Sequence, residues 1–150
     1  MNMGLVIKHY NELTSAELYE ILRVRSAVFV VEQNCVFLDM DGNDAMAYHV
    51  ILWDNGKILA YLRVLEKGVT FDEVAIGRVL TTVRGKGYAN IILQAGIKTA
   101  VERYGANVIK LEAQTYARGV YEKHGFCQSS EEFLEDGIPH IEMTLDLERK

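Results

Sequence analysis

The chain has 150 residues, 49% of them hydrophobic, with two cysteines and a formal net charge of −5. Those values fit one domain over residues 1–150 with a real core, and the acidic balance argues against nucleic acid as a partner. No apolar run reaches the ~18 residues of a membrane span, so no membrane partner is expected, and the start of the chain through Tyr10 has neither a basic nor a long apolar signal segment. Cys35 and Cys127 form no C-x-x-C, so a reduced, cytoplasmic setting is expected.

In chain order, Leu5-Val6-Ile7 reads as a short strand. Thr14-Ser15-Ala16-Glu17 is a capping box that opens a helix with an apolar face of Leu18, Ile21, Leu22, Val28 and Phe29. Arg25 interrupts that face and is expected to pair with an acid, anchor a loop or snorkel to solvent. The acidic loop Asp39-Met40-Asp41-Gly42-Asn43-Asp44 looks briefly like a calcium loop. It fails because its glycine position holds Asp44 and its twelfth position holds Val50. The four histidines, His9, His49, His124 and His140, have no metal spacing either, so no metal is expected.

Ala47 to Trp53 is a strand, Asp54-Asn55-Gly56 a hairpin turn, and Lys57 to Glu66 the returning strand. Val74 to Thr81 is a further apolar strand. It leads into the glycine turn Arg84-Gly85-Lys86-Gly87-Tyr88-Ala89. A helix follows, its apolar residues Ala89, Ile92, Leu93, Gly96, Ile97, Ala100, Val101 and Tyr104 at helical spacing, with Gly105 at its C-cap. Val108 to Ala113 is then a strand parallel to the one ending near Thr81. Tyr116 to His124 is a short helix stopped by Gly125, and Phe126 to Gln128 begins a strand. Asp136-Gly137-Ile138-Pro139 turns into a last strand with Ile141, Met143, Leu145 and Leu147 on one face and His140, Glu142, Thr144 and Asp146 on the other. This order predicts an α/β protein, a mixed sheet with helices on both faces.

A strand, a glycine turn and a helix make an anion site: glycines admit a ligand close to the backbone, and the helix start offers free N–H groups and a positive dipole end. The turn is not a P-loop, since no G-x-x-x-x-G-K-[ST] is present. It is not a dinucleotide fingerprint, since Asn90 takes the third glycine position and Gly105 stands where the ribose-binding acid belongs. Charge is uneven. From Arg84 to Lys110 there are five bases against Glu102 alone, whereas Glu32, Asp39, Asp41 and Asp44 form one base-free acidic segment and Glu131, Glu132, Glu135 and Asp136 another. The basic segment suits an anionic cofactor. The acidic ones suit a cationic co-substrate, or are simply solvated surface.

Arg84, Gly87 and Ala89 fill the pattern [QR]-x-x-G-x-[GA], and Tyr121-Glu122-Lys123-His124-Gly125-Phe126 is similar to Y-E-K-x-G-F. Ala117 precedes Tyr121 by four residues, and Gln114 precedes it by seven, where Asn is usual. On these segments the chain resembles the GCN5-related N-acetyltransferase (GNAT) family. Ala27 to Cys35, the Asp39 and Asp41 pair, Ile76 to Val79, and Glu135 to Met143 resemble its ElaA-like branch. One departure is the link from Val79 to Arg84, which is shorter than usual there and lacks a proline.

The resemblance covers nearly the whole chain and implies the GNAT acyl-CoA N-acyltransferase fold. It implies acetyl-CoA as co-substrate and direct attack by a primary amine, small or cationic, within a ternary complex. Val79, Leu80 and Thr81 would offer backbone groups to pantetheine. Arg84, Gly85, Lys86, Gly87, Tyr88 and Ala89 would hold the pyrophosphate, and Gln114 stands where the family's Asn meets the cofactor. Tyr121 would donate to the leaving sulfur. Glu32, Asp39, Asp41, His49 and His140 are the acceptor-side residues and candidate bases, with solvent through a water chain as the alternative. A homodimer is the expectation for assembly. Two other readings stay open: a module that binds acyl-CoA without transfer, and a nucleotide site in an unrelated α/β protein.

Overall fold

The computed structural model describes residues 3–148. Strands β1 (Met3–His9), β2 (Ala47–Asp54), β3 (Lys57–Leu65), β4 (Val74–Thr81), β5 (Val108–Gln114), β6 (Cys127–Gln128), β7 (Phe133–Glu135) and β8 (Ile138–Asp146) form one sheet. Its order is β1-β2-β3-β4-β5-β8-β6, with β7 paired to β8. Among the described residues only β4 and β5 run parallel, joined across one face by helix α2 (Tyr88–Tyr104). Helix α3 (Arg118–Glu122) lies on the α2 side and α1 (Ser15–Arg25) covers the opposite face.

The sequence pattern explains the layers. Ile92, Leu93 and Ala100 of α2 pack with Leu62, Ile76, Ile109, Leu111 and Met143 in the larger core. Gly96 lets α2 approach the sheet: a Cβ there would stand 2.7 Å from Leu62 Cδ2. On the other face Ile21 and Val24 of α1 pack with Ile51, Tyr61 and Leu80. The Thr14 and Glu17 capping box forms in both directions. The β2–β3 turn has positive φ at Asn55 and Gly56, and the β7–β8 turn repeats this at Asp136 and Gly137, as two-residue hairpins require.

Two elements differ from the sequence expectation. The first helix does not continue evenly through Phe29. After Arg25 it widens into a π-helical segment, Ser26–Glu32. Arg25 is thereby buried toward the acidic loop while Val28 and Phe29 still pack against the second core. The second is β7, inside the acidic segment expected to be a connection. Phe133 and Leu134 are flanked by acids, which masks a three-residue strand held in register by the Asp136-Gly137 turn.

Candidate functional site

β4 carries the feature that opens the sheet. Across from it, Tyr61 faces Leu80 and Arg63 faces Gly77, so Arg78 and Val79 together stand opposite Leu62. This is a β-bulge, and Arg78 takes φ 54, a left-handed conformation that is uncommon outside glycine. Gly77 and Arg78 both turn toward the α1 side, where Arg63 and Asp39 lie, whereas Val79 packs into the α2-side core. Ahead of the bulge β4 already parts from β5. The parallel ladder holds only at Val74↔Ile109 and Ala75↔Lys110, although the strands run on to Thr81 and Gln114.

The split continues into a cleft of about 630 Å³ that reaches from the glycine turn to the β7–β8 hairpin. Gly85 and Gly87 have φ near +75 (75 and 76), which glycine adopts at no steric cost. Gly87 is the N-cap of α2 and no side chain caps that end, so the N–H groups of the first turn point to the cleft mouth without helical partners. Val79, Leu80, Thr81, Arg84, Gly85, Lys86, Gly87, Tyr88, Ala89, Gln114 and Tyr121 all line the cleft. The Leu80 side chain is committed to the α1-side core, leaving its backbone as what it can offer. Arg84 folds back to donate to the Thr81 carbonyl and to Thr81 Oγ1 at 3.0 Å, and it reaches Glu32 at 3.3 Å. Gln114 Nε2 donates to Gln33 Oε1 at 3.0 Å.

Tyr121 is 8% exposed and packs edge-on against Phe126. It lines the cleft, and its hydroxyl makes no hydrogen bond with the described residues. Burial, with a smaller effect from Tyr116, raises its ionisation well above the usual phenol range. It therefore remains a donor across the physiological pH range.

The acceptor-side residues fall into two groups. Asp39 and Asp41 do not form the free acidic entrance that the sequence led us to expect. Asp39, 4% exposed, accepts from Arg25 Nε at 2.9 Å and from Arg78 Nε at 2.8 Å. Asp41 lines the cleft but both of its oxygens are held by Arg63. Burial would raise Asp41, but Arg63, the Asn43 N–H and the Arg63 and Arg78 charges outweigh it and hold Asp41 well below the usual carboxylate range. Asp44 completes the group, accepting from Arg25 Nη1 at 2.6 Å and Arg63 Nη1 at 2.9 Å. Three arginines thus neutralise three aspartates, and the guanidinium of Arg78 fastens the bulge of β4 to the acidic loop.

His49 also stands apart from the cleft. Its Nε2 lies 3.0 Å from the Asp44 carbonyl and its Nδ1 2.6 Å from the Tyr61 hydroxyl. A carbonyl only accepts, so Nε2 carries the proton and Nδ1 accepts from Tyr61. Burial lowers its pKa, which agrees with a neutral structural imidazole. Glu32 is outside the cleft lining and occupied with Arg84. His140 does line the cleft; its Nδ1 donates to the Ile138 carbonyl at 2.7 Å and its Nε2 lies 3.8 Å from Glu135 Oε2.

The residue that sequence reasoning passed over is Glu112. It lines the cleft from β5, directly opposite Glu142 of β8, with Glu135 of β7 close by. Partial burial, the charge of Glu135, a hydrogen bond with Glu135 and the charge of Glu142 push it up to about 7. A signal existed. Lys110, Glu112 and Gln114 alternate against apolar Ile109, Leu111 and Ala113, and the neighbouring strand β8 is polar on the same face. Two adjacent inner strands, both polar on one face, mark an open site rather than a covered layer.

A parallel pair that parts ahead of a bulge, above an uncapped helix start with left-handed glycines, defines an acyl-CoA-dependent N-acyltransferase fold. Residues 24–147 match the Acetyltransferase (GNAT) domain, and the chain belongs to that family. It is 35% identical to protein ElaA of Escherichia coli over 143 residues, covering 93% of this chain and 94% of ElaA. It is 37% identical to a UPF0039 protein of Schizosaccharomyces pombe over 150 residues, covering 97% and 99%. Among solved structures it is similar to an acyl-CoA N-acyltransferase from Pseudomonas aeruginosa, with TM-score 0.89 and 35% identity over 95% of this chain and 99% of that one. It is similar also to the ElaA crystal structure, with TM-score 0.88 and 34% identity over the same shares. Among the described residues no helix is long and apolar enough to cross a membrane.

Proposed function

We propose that the protein transfers an acetyl group from acetyl-CoA to a primary amine, small or cationic, by direct attack. The observation that carries this reading is the opening between β4 and β5, which leads to the uncapped start of α2. The residues present fit acetyl-CoA. The N–H groups from Arg84 to Ala89 would hold its pyrophosphate, and unpaired backbone groups of Val79 to Thr81 would hold its pantetheine arm. The donor supplies a thioester carbonyl.

Three tasks remain for the chain. A backbone N–H of the bulged strand stabilises charge developing on the carbonyl oxygen. Tyr121 donates to the departing sulfur. The acceptor is drawn in as a cation by Glu112, Glu135 and Asp136, all of which line the cleft. A metal is not required by this chemistry, and no nucleophilic side chain takes part.

Tyr121→Phe tests the donor. The hydroxyl has no hydrogen-bond partner among the described residues, so stability should be unchanged. Reference values of about 10 for a phenol and about 8.5 for a thiol already make full proton transfer uphill by roughly 2 kcal/mol, and burial of Tyr121 makes it steeper. Tyr121 therefore acts as a hydrogen-bond donor to the forming thiolate. The expected loss in kcat lies toward the lower end of about 10²–10⁴-fold, with KM for acetyl-CoA nearly constant because the bond strengthens only as charge develops. Wild-type kcat in the variant, with chemistry rate-limiting, would assign Tyr121 to packing alone. The overall reading is tested by free thiol released from acetyl-CoA with a panel of polyamines, amino acids and peptides. Release dependent on an amine is expected; CoA binding without release on any acceptor contradicts transfer.

A further inference from the structure

Nothing in the fold requires the glycine in the middle of β4. Gly77 does not take positive φ; the left-handed turn of the bulge falls on Arg78. Among the described residues beyond its own chain neighbours, a Cβ built on Gly77 would meet one heavy atom within 4 Å, Arg63 Nε at 4.0 Å, which is ordinary contact. Glycine inside a strand weakens it, and outside a bulge it often marks a place where a ligand or another backbone comes close. No backbone does so here. Gly77 is half-buried and lines the cleft.

The gap over Gly77 has polar neighbours on both sides. Arg63 of β3 is its direct partner. Glu112 of β5 stands level with it when the parallel ladder, last formed at Ala75↔Lys110, is continued in register. All three lie on the face opposite the α2-side core, which takes Leu62, Val64, Ile76 and Leu111. Arg63 is 3% exposed, yet its Nε is buried without a hydrogen bond. Its Nη1 and Nη2 hold Asp41 and Asp44. The charge of Arg63 is therefore already balanced, and what remains is one N–H donor facing the gap. A buried donor left unpaired is costly to a fold, and an oxygen over Gly77 would satisfy it.

We infer that the acceptor is an amine whose adjacent carbon carries a neutral carbonyl, as in an amino-acid amide or a peptide N-terminus, with the carbonyl lying over Gly77 and accepting from Arg63 Nε. This names the substrate class of the transfer reading and rests on it. The ammonium lies toward Glu112, Glu135 and Asp136, which line the cleft from β5 and the β7–β8 hairpin. A diamine has no oxygen for Arg63. A free amino acid has one, but its carboxylate brings further negative charge beside those acids, while Arg25, Arg63 and Arg78 are already taken up by Asp39, Asp41 and Asp44. A neutral carbonyl meets the donor without that repulsion.

The test follows thiol release from acetyl-CoA with alaninamide, with ethylamine (the same amine without the carboxamide) and with alanine. Alaninamide should have a kcat/KM about tenfold or more above either. The carboxamide also makes its amine less basic, so the deciding measurement is the same comparison in Gly77→Ala. The added methyl takes the place of the carbonyl. The preference for alaninamide over ethylamine should fall by about tenfold or more through a higher KM for alaninamide, with CoA affinity and melting temperature as in the wild type. An unchanged preference in the folded variant overturns the inference. A second arm needs no turnover: with CoA bound, the Arg63 Nε–H signal in ¹⁵N NMR should shift on adding alaninamide and not on adding ethylamine, and equal behaviour with both overturns it. Trialanine separates the two sources of this chemistry. Its turnover beside alaninamide supports a peptide N-terminus, and turnover of alaninamide without it supports a small amide; either agrees with the inference. Preference for ethylamine, or for alanine with its carboxylate, overturns this inference and leaves transfer standing. A wild type that transfers to no amine overturns the reading beneath it.

Discussion

Replacing Gly87 by valine should abolish CoA binding in a protein that still folds. Gly87 has φ 76 and ψ 12 at the N-cap of α2. A Cβ there would meet nothing within 4 Å, so packing within the protein does not oppose the change. The left-handed conformation costs a residue with a side chain roughly 1–2 kcal/mol, which a folded domain with about 5–15 kcal/mol to lose survives. The ligand fares worse. A branched side chain at the turn blocks approach to the N–H groups that would hold the pyrophosphate. Charged hydrogen bonds are worth about 1.5–3 kcal/mol each, and each 1.4 kcal/mol is tenfold in affinity. Losing two of them weakens binding by at least about 100-fold. Calorimetric titration with CoA checks this beside a melting curve. Unchanged affinity in a folded variant would place the phosphate site elsewhere.

The second large effect is on stability. Arg25→Ala should destabilise the fold by about 3–5 kcal/mol, the usual consequence of removing one partner from a buried ion pair. Arg25 is 0% exposed and bonds Asp39 and Asp44, with its guanidinium 6.0 Å from the Tyr61 ring centroid. The same network predicts acid sensitivity. Burial raises Asp44, but hydrogen bonds from Arg25, the charges of Arg25 and Arg63 and a bond from Arg63 overcome it, leaving its pKa lowered; Asp41 is lowered further. A carboxylate with a depressed folded value contributes stability above its unfolded pKa of about 3.9 that is lost as pH falls through the folded value. Wild-type protein should therefore lose stability below about pH 4. In Arg25→Ala the Asp44 share of this acid loss should shrink, because without its strongest opposing partner burial moves the folded value back up toward the unfolded one. Denaturant melts at several pH values read both effects. A loss under about 1 kcal/mol would mean that water replaces Arg25 as easily as at a surface pair.

The fold was legible in the sequence where a pattern had a single physical meaning. The Thr14 and Glu17 box, the Asp54-Asn55-Gly56 turn and the stripe along α2 each announced an element that formed. The glycine end of the cleft was legible for the same reason, since left-handed glycines beside an uncapped helix start have few other uses. The acceptor end was not. Whether Asp39 and Asp41 face a substrate or an arginine depends on which side chains the topology brings to them. Their partners Arg25, Arg63 and Arg78 come from α1, β3 and β4, far apart in the chain. Glu112 was hidden differently: a lone acid on a strand reads as solvent-facing until the neighbouring strand is known to be polar on the same side. The bulge at Arg78 was invisible as well, because arginine is an unexpected residue at positive φ, and it is held there by Asp39, Asp41 and the Phe37 ring.

The account stands on the opening between β4 and β5 as the place where acetyl-CoA lies. Hydrogen–deuterium exchange of the backbone amides, with and without acetyl-CoA, examines this most directly. The account predicts slowed exchange at Arg84 to Ala89, where N–H groups would meet phosphate, and at Val79 to Thr81, where unpaired strand groups would meet the pantetheine arm, with β1 and β2 unchanged. Binding that protects other segments and leaves these amides as fast as in the free protein would contradict it.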